Sequence, residues 1–173
     1  ISHNHYDHMD LATLKKLEKK FKPLVLCPKG DLALLKGEGL NNVVELDWWE
    51  EKSFKDYQFI FTPAQHFSGR GLFDRFKSLW GSYVIKTPQN KKIFFGGDTG
   101  YSKHFKEIFQ RMGEMDFALI PIGAYEPRWF MKAMHVNPEE AVKAHLDLKS
   151  KQSIGIHFGT FQLTDEGIDE PEK

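Results

Sequence analysis

The chemistry-bearing residues of this chain crowd together at its start. The opening stretch "ISHNHYDHMD" places His3, His5, Asp7 and His8 side by side. Imidazole and carboxylate together suit zinc and other borderline first-row cations. Four donors in so short a loop do not easily close on one tetrahedral ion. Residues two apart, such as His3 and His5, can converge on one cation, while Asp7 and His8 turn toward a second. Each ion then needs donors from elsewhere in the chain.

Later segments offer them. His66 follows an apolar run in "TPAQHFSG", Asp98 follows another in "FFGGDTG", and His157 ends a third in "GIHFG". If His3, His5 and His66 hold one ion, and Asp7, His8 and His157 the other, Asp98 can bridge the pair. Ions about 3.5–4 Å apart create a nucleophile near neutral pH and stabilise charge on both sides of a displacement. A histidine at a strand end, taken singly, is more often a packed or surface residue than a ligand. The opening cluster is what gives His66 and His157 weight. Gly96, Gly97, Gly100 and Gly159 allow backbone to pass close to a crowded site. His104 and His145 fall inside expected helices and read as structural. Asp56, Asp74 and Asp116 read as solvated or capping groups.

The elements that must position these residues alternate between helix and strand. Asp10 can cap a helix in which Leu11, Leu14, Leu17 and Phe21 share one face. "LVLCP", "NNVVELD" and "FIFTPA" read as strands, the last ending just before His66. "WGSYVIKT" and "KKIFFGGD" read as two strands joined by the turn "PQNK". Helical spacing of Phe105, Ile108, Phe109 and Met112 predicts a helix over 102–112. "FALIPIG" is a further buried strand. Asn137, Pro138 and Glu140 form a cap, a first-turn proline and a reaching-back carboxylate, which predicts a helix over 138–148. "SIGIHFG" closes as a strand. The fold class is a layered α/β domain spanning 1–173, with an acidic tail, "DEGIDEPEK", at its end.

Composition narrows the functions. The chain has 173 residues, with 40% hydrophobic and 28% charged, which suits a globular domain with a core. Lys plus Arg equal Asp plus Glu at 24 each, so no general pull toward nucleic acid exists and a nuclease is disfavoured. No apolar run approaches the roughly 20 residues that span a bilayer. The lone Cys27 excludes an intrachain disulfide and reads as a core residue. Aromatic and cationic residues interleave in "HFSGRGLFDRFKSLWGSY", where Phe67, Leu72, Phe73, Phe76 and Trp80 alternate with Arg70, Arg75 and Lys77. "PRWFMKAM" repeats that character. Such stretches are either core or a headgroup-facing surface.

"SHNHYDH" resembles the His-x-His-x-Asp-His motif of the metallo-β-lactamase superfamily. "ISHNHYDH", "LWGSY", "GDTGY", "IPIGAYEPRWFM", "HVNPEEA" and "IHFGTF", in that order, resemble the N-acyl-phosphatidylethanolamine-hydrolysing phospholipase D group. The resemblance implies an αββα sandwich with a binuclear zinc site at one edge. It implies His3, His5 and His66 at one Zn2+, Asp7, His8 and His157 at the other, and Asp98 between them. It implies a phosphodiesterase that cleaves N-acyl phosphatidylethanolamine to N-acylethanolamine and phosphatidic acid. Asp98 would then hold both ions and orient or deprotonate the nucleophile. His135 in "HVNPEE" matches a histidine near that family's active site, and phosphate contact or proton transfer is the role expected of it. The partner expected is a phospholipid, with peripheral membrane contact, no nucleic acid, and a cytoplasmic or membrane-peripheral location. A lactonase, a phosphodiesterase of soluble substrates, or a non-catalytic metal-binding fragment are the alternatives. The family places its metal motif near the middle of the fold. Here the motif begins at residue 3 and the chain opens on Ile, so much of the N-terminal half, including one sheet and its edge, is expected to be missing.

Overall fold

The computed structural model describes residues 1–173. Helix α1 (Leu11–Phe21) leads to strand β1 (Val25–Pro28), helix α2 (Leu32–Gly37) and strand β2 (Val43–Leu46). Strands β3 (Glu51–Phe54), β4 (Tyr57–Thr62), β5 (Ser82–Lys86) and β6 (Lys92–Phe95) follow. Then come α3 (His104–Met112), β7 (Phe117–Pro121), α4 (Arg128–Met131), α5 (Pro138–Asp147) and β8 (Ser153–Ile156), with a final 3-10 turn at Glu170–Glu172. β1 and β2 form a small parallel sheet, and β3 to β8 form a second sheet in sequence order.

Alternation along the strands decides the layers. Ile60, Val84, Phe94 and Ala118 lie in one cross-strand row of the larger sheet. That row packs with Phe105 and Ile108 of α3 and Ala141 and Ala144 of α5. The neighbouring row, Phe61, Tyr83 and Phe95, faces the other way, toward Leu26, Val44 and Leu46 of the small sheet. Beyond the small sheet, Val25, Cys27 and Val43 pack with Leu35 of α2 and with Leu11 and Leu14 of α1. The order of layers is helix, sheet, sheet, helix: an αββα sandwich whose first sheet here has two strands.

Strand direction then fixes where the site falls. β4 is antiparallel to β5 and β5 to β6, so β4 and β6 run the same way. β7 and β8 pair in parallel with that direction. The segments after β4, β6, β7 and β8 therefore leave the sheet at one shared edge.

The expected caps are in place. Asp10 accepts from Thr13 N at 2.7 Å, and Asn137 and Glu140 complete a capping box on α5. Helix α3 begins at His104, two residues later than expected, and α5 stops at Asp147. α1 differs from its expected single apolar face. Leu11 and Leu14 reach the core, but Leu17 and Phe21 are exposed, and Glu18 is buried against Asn41. The small sheet underlies only the first turns of the helix. Helices α2 and α4 and strand β3 were not expected, being short and without clear periodicity. The acidic tail folds back on the domain: Glu166 is buried and accepts from Ala124 N and Glu126 N at 2.6 and 3.0 Å.

Candidate metal centre

His3, His5, Asp7 and His8 occupy the loop ahead of α1. Met9 N donates to His5 O at 2.8 Å, and the Met9 side chain is fully buried in the small-sheet core, which pins the loop's far end. Arg70 ties both ends together, donating from Nη1 to Asn4 O and Met9 O at 2.9 Å each. His66, Asp98 and His157 arrive from the segments after β4, β6 and β8, the edge that strand direction dictates.

Two of these arrivals need glycine. Gly97, with φ +60°, turns the chain into Asp98, and a Cβ there would lie 2.7 Å from Ser2 Cβ. A Cβ on Gly123 would lie 2.2 Å from His157 O, so the β7 exit must be bare for His157 to dock. His157 itself holds φ +62°, a left-handed conformation that non-glycine residues adopt only when surroundings impose it. Of the glycines expected to admit close backbone, Gly159 does not: a Cβ there meets open space. Its φ of +74° accounts for the glycine instead.

Seven side chains converge. His3, His5 and His66 bring ring nitrogens within 4.8 Å of one another, as do the ligand atoms of Asp7, His8, Asp98 and His157. His3 Nε2 lies 2.9 Å and His66 Nε2 3.3 Å from His5 Nδ1. Asp98 sits between the groups. Its Oδ2 is 3.1 Å from His8 Nε2, 3.8 Å from His66 Nε2 and 3.9 Å from His3 Nε2, while Oδ1 is 3.2 Å from His157 Nε2. His135 joins from the loop between α4 and α5, forming a third close set with His66 and Asp98. His104 and His145 stay outside the cluster: His104 lies against Thr99 and Ser102, and His145 against Ser153. Asp74 accepts from Arg70 N and Gly71 N, Asp116 pairs with Lys91 and Lys151, and Asp56 is exposed.

Burial sets the protonation of the first group. It drives His3 down to about 2 and His66 down to about 3, so both rings are neutral at physiological pH. His66 Nδ1 donates to Met134 O at 3.1 Å, leaving the Nε2 lone pair directed at His5 and Asp98. That is the tautomer a cation ligand needs. The second group behaves differently. Burial pulls the His8 ring down, but the Asp7 and Asp98 carboxylates outweigh it and hold it up at about 9. Hydrogen bonds from His157 and His8 hold Asp7 well below the usual carboxylate range. Burial pushes Asp98 up, and His8 and His157 more than reverse that. A proton shared with carboxylates thus stands where positive charge is favoured. Asp98 Oδ1 is buried without a hydrogen bond, as are Nδ1 of His135 and of His157. Buried groups of this kind are ordinarily satisfied. Neutral lone pairs, converging carboxylates and an orphaned carboxylate oxygen all fit divalent cations.

Several supporting residues carried no signal in the sequence. Thr99 Oγ1 accepts from Gln65 N at 2.9 Å, and Thr99 O accepts from Val136 N at 2.9 Å, so one residue ties the approaches to His66 and His135. Arg128 donates to His135 O at 2.9 Å and pairs with Glu140 at 2.7 Å, linking His135 to the capping box of α5. Contacts between distant loops leave no local pattern to read.

Residues 1–158 match the beta-lactamase superfamily domain family. With this sandwich and this cluster of donors at its edge, the chain belongs to the metallo-β-lactamase superfamily. It is 42% identical over 179 residues to the mitochondrial N-acyl-phosphatidylethanolamine-hydrolyzing phospholipase D of Saccharomyces cerevisiae, covering 100% of this chain and 38% of the yeast protein. It is 41% identical over 174 residues to N-acyl-phosphatidylethanolamine-hydrolyzing phospholipase D 1 of Caenorhabditis elegans, covering 94% of this chain and 49% of that protein. The chain thus spans less than half the length of these relatives. Among solved structures, a metallo hydrolase from the archaeon Ignicoccus hospitalis superposes with a TM-score of 0.77 at 20% identity, over 99% of this chain and 67% of its own. No helix of the chain is long and apolar enough to cross a membrane.

Proposed function

We propose that this chain carries the binuclear zinc site of a phosphodiesterase that hydrolyses N-acyl phosphatidylethanolamine, yielding N-acylethanolamine and phosphatidic acid. The observation that supports it is the meeting of two donor sets on one buried carboxylate, Asp98, in a chain so similar to two enzymes of that name. His3, His5 and His66 would hold one ion, Asp7, His8 and His157 the other, and Asp98 would touch both. When bound, such a pair supplies Lewis acidity toward phosphate oxygens and brings the acidity of water toward neutrality.

The side chains do the rest. Asp98 Oδ1, free of hydrogen bonds, is placed to accept the proton of the attacking water. Water would add to phosphorus as Asp98 takes its proton, the bond from phosphorus to the ethanolamide oxygen would break, and that oxygen would take up the proton Asp98 gives back, so that N-acylethanolamine leaves neutral. His135 would hydrogen-bond the phosphate or leaving oxygen meanwhile. Burial holds its ring below the ordinary imidazole range. A neutral ring N–H at the phosphate or leaving oxygen is therefore the role it fits, more than that of a charged acid.

The rim supports a lipid substrate. Phe67 packs edge-on against His5 and at a tilt against His66, and Arg75 lies over Phe67 and Phe76. On the same segment Phe73 is 85% exposed and Leu72 91% exposed. On α4, Trp129 is 86% exposed, three residues before the segment that delivers His135. Large apolar side chains this exposed, beside cations, suit contact with a headgroup boundary.

The test is product analysis by mass spectrometry, with zinc-loaded protein and N-acyl phosphatidylethanolamine dispersed in detergent. Release of N-acylethanolamine together with phosphatidic acid is expected. Turnover of a lactone or a soluble phosphodiester with the phospholipid untouched rejects the lipid reading. Bound zinc with no hydrolysis of any of them rejects catalysis by this chain.

A further inference from the structure

Asn4 sits between two histidines of the opening loop, and its side chain runs away from them. His3 and His5 meet at 2.9 Å on the cluster side. On the other side Asn4 Nδ2 donates to Asp31 Oδ1 at 3.0 Å, and Asn4 Oδ1 accepts from Gly69 N at 2.7 Å. Asp31 Oδ1 also accepts from Ser78 Oγ at 2.7 Å. The Ser78 loop is locked in turn to Ser68, whose Oγ donates to Ser78 O at 2.5 Å. Asp31, Asn4, Ser68 and Ser78 are all buried, Asp31 to 1% exposure.

The placement of Asp31 is unusual for its type. It occupies the N-cap position of α2, where an aspartate side chain ordinarily accepts from the first turn. Here it makes no such bond. The carboxylate turns instead to Asn4 and Ser78, and its Oδ2 is buried without a partner. Burial of this kind pushes the carboxyl above the usual range. A helix cap has been given up, and a carboxylate buried, to grip one side chain of the metal loop.

We infer that Asp31 is a positioning residue for the His3–His5–His66 cation site, fixing the Asn4 side chain and with it the backbone from which His3 and His5 project. The inference rests on the two-cation reading proposed above. Asp31 touches none of the donors. It acts through Asn4, whose Nδ2 otherwise reaches only Ser78 Oγ, at 3.4 Å.

Zinc binding by equilibrium dialysis tests this, with folding and melting followed by circular dichroism on the same samples. Wild-type protein should take up two equivalents. Asp31→Ala should weaken one equivalent about tenfold or more, the size of effect that supporting partners have on metal sites, and leave the other unchanged. Asp31→Asn keeps an oxygen acceptor in the same place and should restore both. Asn4→Ser, which shortens the side chain without touching α2, should weaken the same equivalent, and the double variant should lose no more than either single one. It decides the matter where Asp31→Ala does not fold. Leu35→Ala, on the buried face of α2, is the control: it should lower the melting temperature with both zinc affinities intact. Unchanged zinc affinities in folded Asp31→Ala or Asn4→Ser, or equal losses at both equivalents, overturn the inference and leave the two-cation reading standing. Wild-type protein that takes up no zinc overturns that reading and the inference with it.

Discussion

Asp98 and His135 are neighbours in space but answer burial differently. Asp98 stays ionised because His8 and His157 flank it, whereas His135 stays neutral because the charges around it do not repay desolvation. Their substitutions should therefore separate. Asp98→Ala removes the one carboxylate that the proposed site places at both cations. Zinc content should fall below two per chain and phosphodiester turnover by at least about a hundredfold. Normal activity at full zinc content would refute that role. His135→Ala leaves the seven proposed cation donors in place, so zinc content should hold while kcat falls about a hundredfold, the usual scale for losing one hydrogen-bond donor to a charged oxygen. Zinc loss in step with activity would make His135 a ligand instead. Residue type and spacing made the convergence of His3, His5, Asp7 and His8 with His66, Asp98 and His157 legible from sequence, since four such side chains crowded into one loop have no obvious packing purpose. Asp31 and Thr99 were illegible for the opposite reason: each has an ordinary local reading, a helix cap and a turn residue, and only the fold reveals the partner.

At the scale of elements, His104 shows how α3 is tied to the site. It begins the helix, is 5% exposed, and lies 3.3 Å from Thr99 Oγ1 and 2.7 Å from Ser102 Oγ. Burial lowers its pKa from 6.5 to about 4. The unfolded chain therefore binds a proton at His104 as pH falls below about 6.5, while the folded chain resists until about 4. Across that window the unfolded state holds more protons, so stability declines as pH falls, by about 3 kcal/mol for a shift of this size. His104→Leu should cost stability near neutral pH through its lost hydrogen bonds, and that cost should shrink toward pH 4. Guanidinium unfolding with a chelator present, so that cation release adds nothing, measures the difference. A cost independent of pH would show that His104 titrates normally. The same scale explains what periodicity could and could not foretell. Strands β4, β5 and β6 carry two-sided apolar alternation because both faces are covered, and they were readable. β3, an edge strand with Glu51, Ser53 and Phe54 exposed, carries none and was not. The apolar stripe of α1 was read in full, yet only its first half is covered, because a helix face needs a partner the sequence does not specify.

For the molecule as a whole, the question is how a buried cluster would meet the phospholipid proposed as its substrate. The site opens at the sheet edge, and among the exposed apolar residues Leu72, Phe73 and Phe76 lie on the segment that follows His66. The lobe that carries Leu72, Phe73 and Phe76 is fixed from below: Asp74 accepts from Arg70 N and Gly71 N, and Arg70 stacks on Tyr6 of the metal loop while bonding Asn4 O and Met9 O. A lip held in this way would lose little conformational freedom on docking, so its apolar area would convert into affinity for the proposed membrane surface more fully than that of a floppy loop. With net charge zero, long-range attraction to anionic lipid is weak, and Arg75 and Lys77 act only close to the surface. Wild-type protein should thus co-float with zwitterionic liposomes almost as well as with anionic ones. Phe73→Glu should reduce co-flotation about tenfold, in line with exchanging a buried aromatic for a charge at an interface. It should raise the apparent KM for liposomal substrate and leave turnover of a short-chain, monomeric phosphodiester unchanged, because no donor to the cations has moved. Co-flotation that requires anionic lipid would make the contact electrostatic. Loss of turnover on the monomeric substrate as well would place Phe73 in the active site's own architecture instead of on a membrane-facing lip.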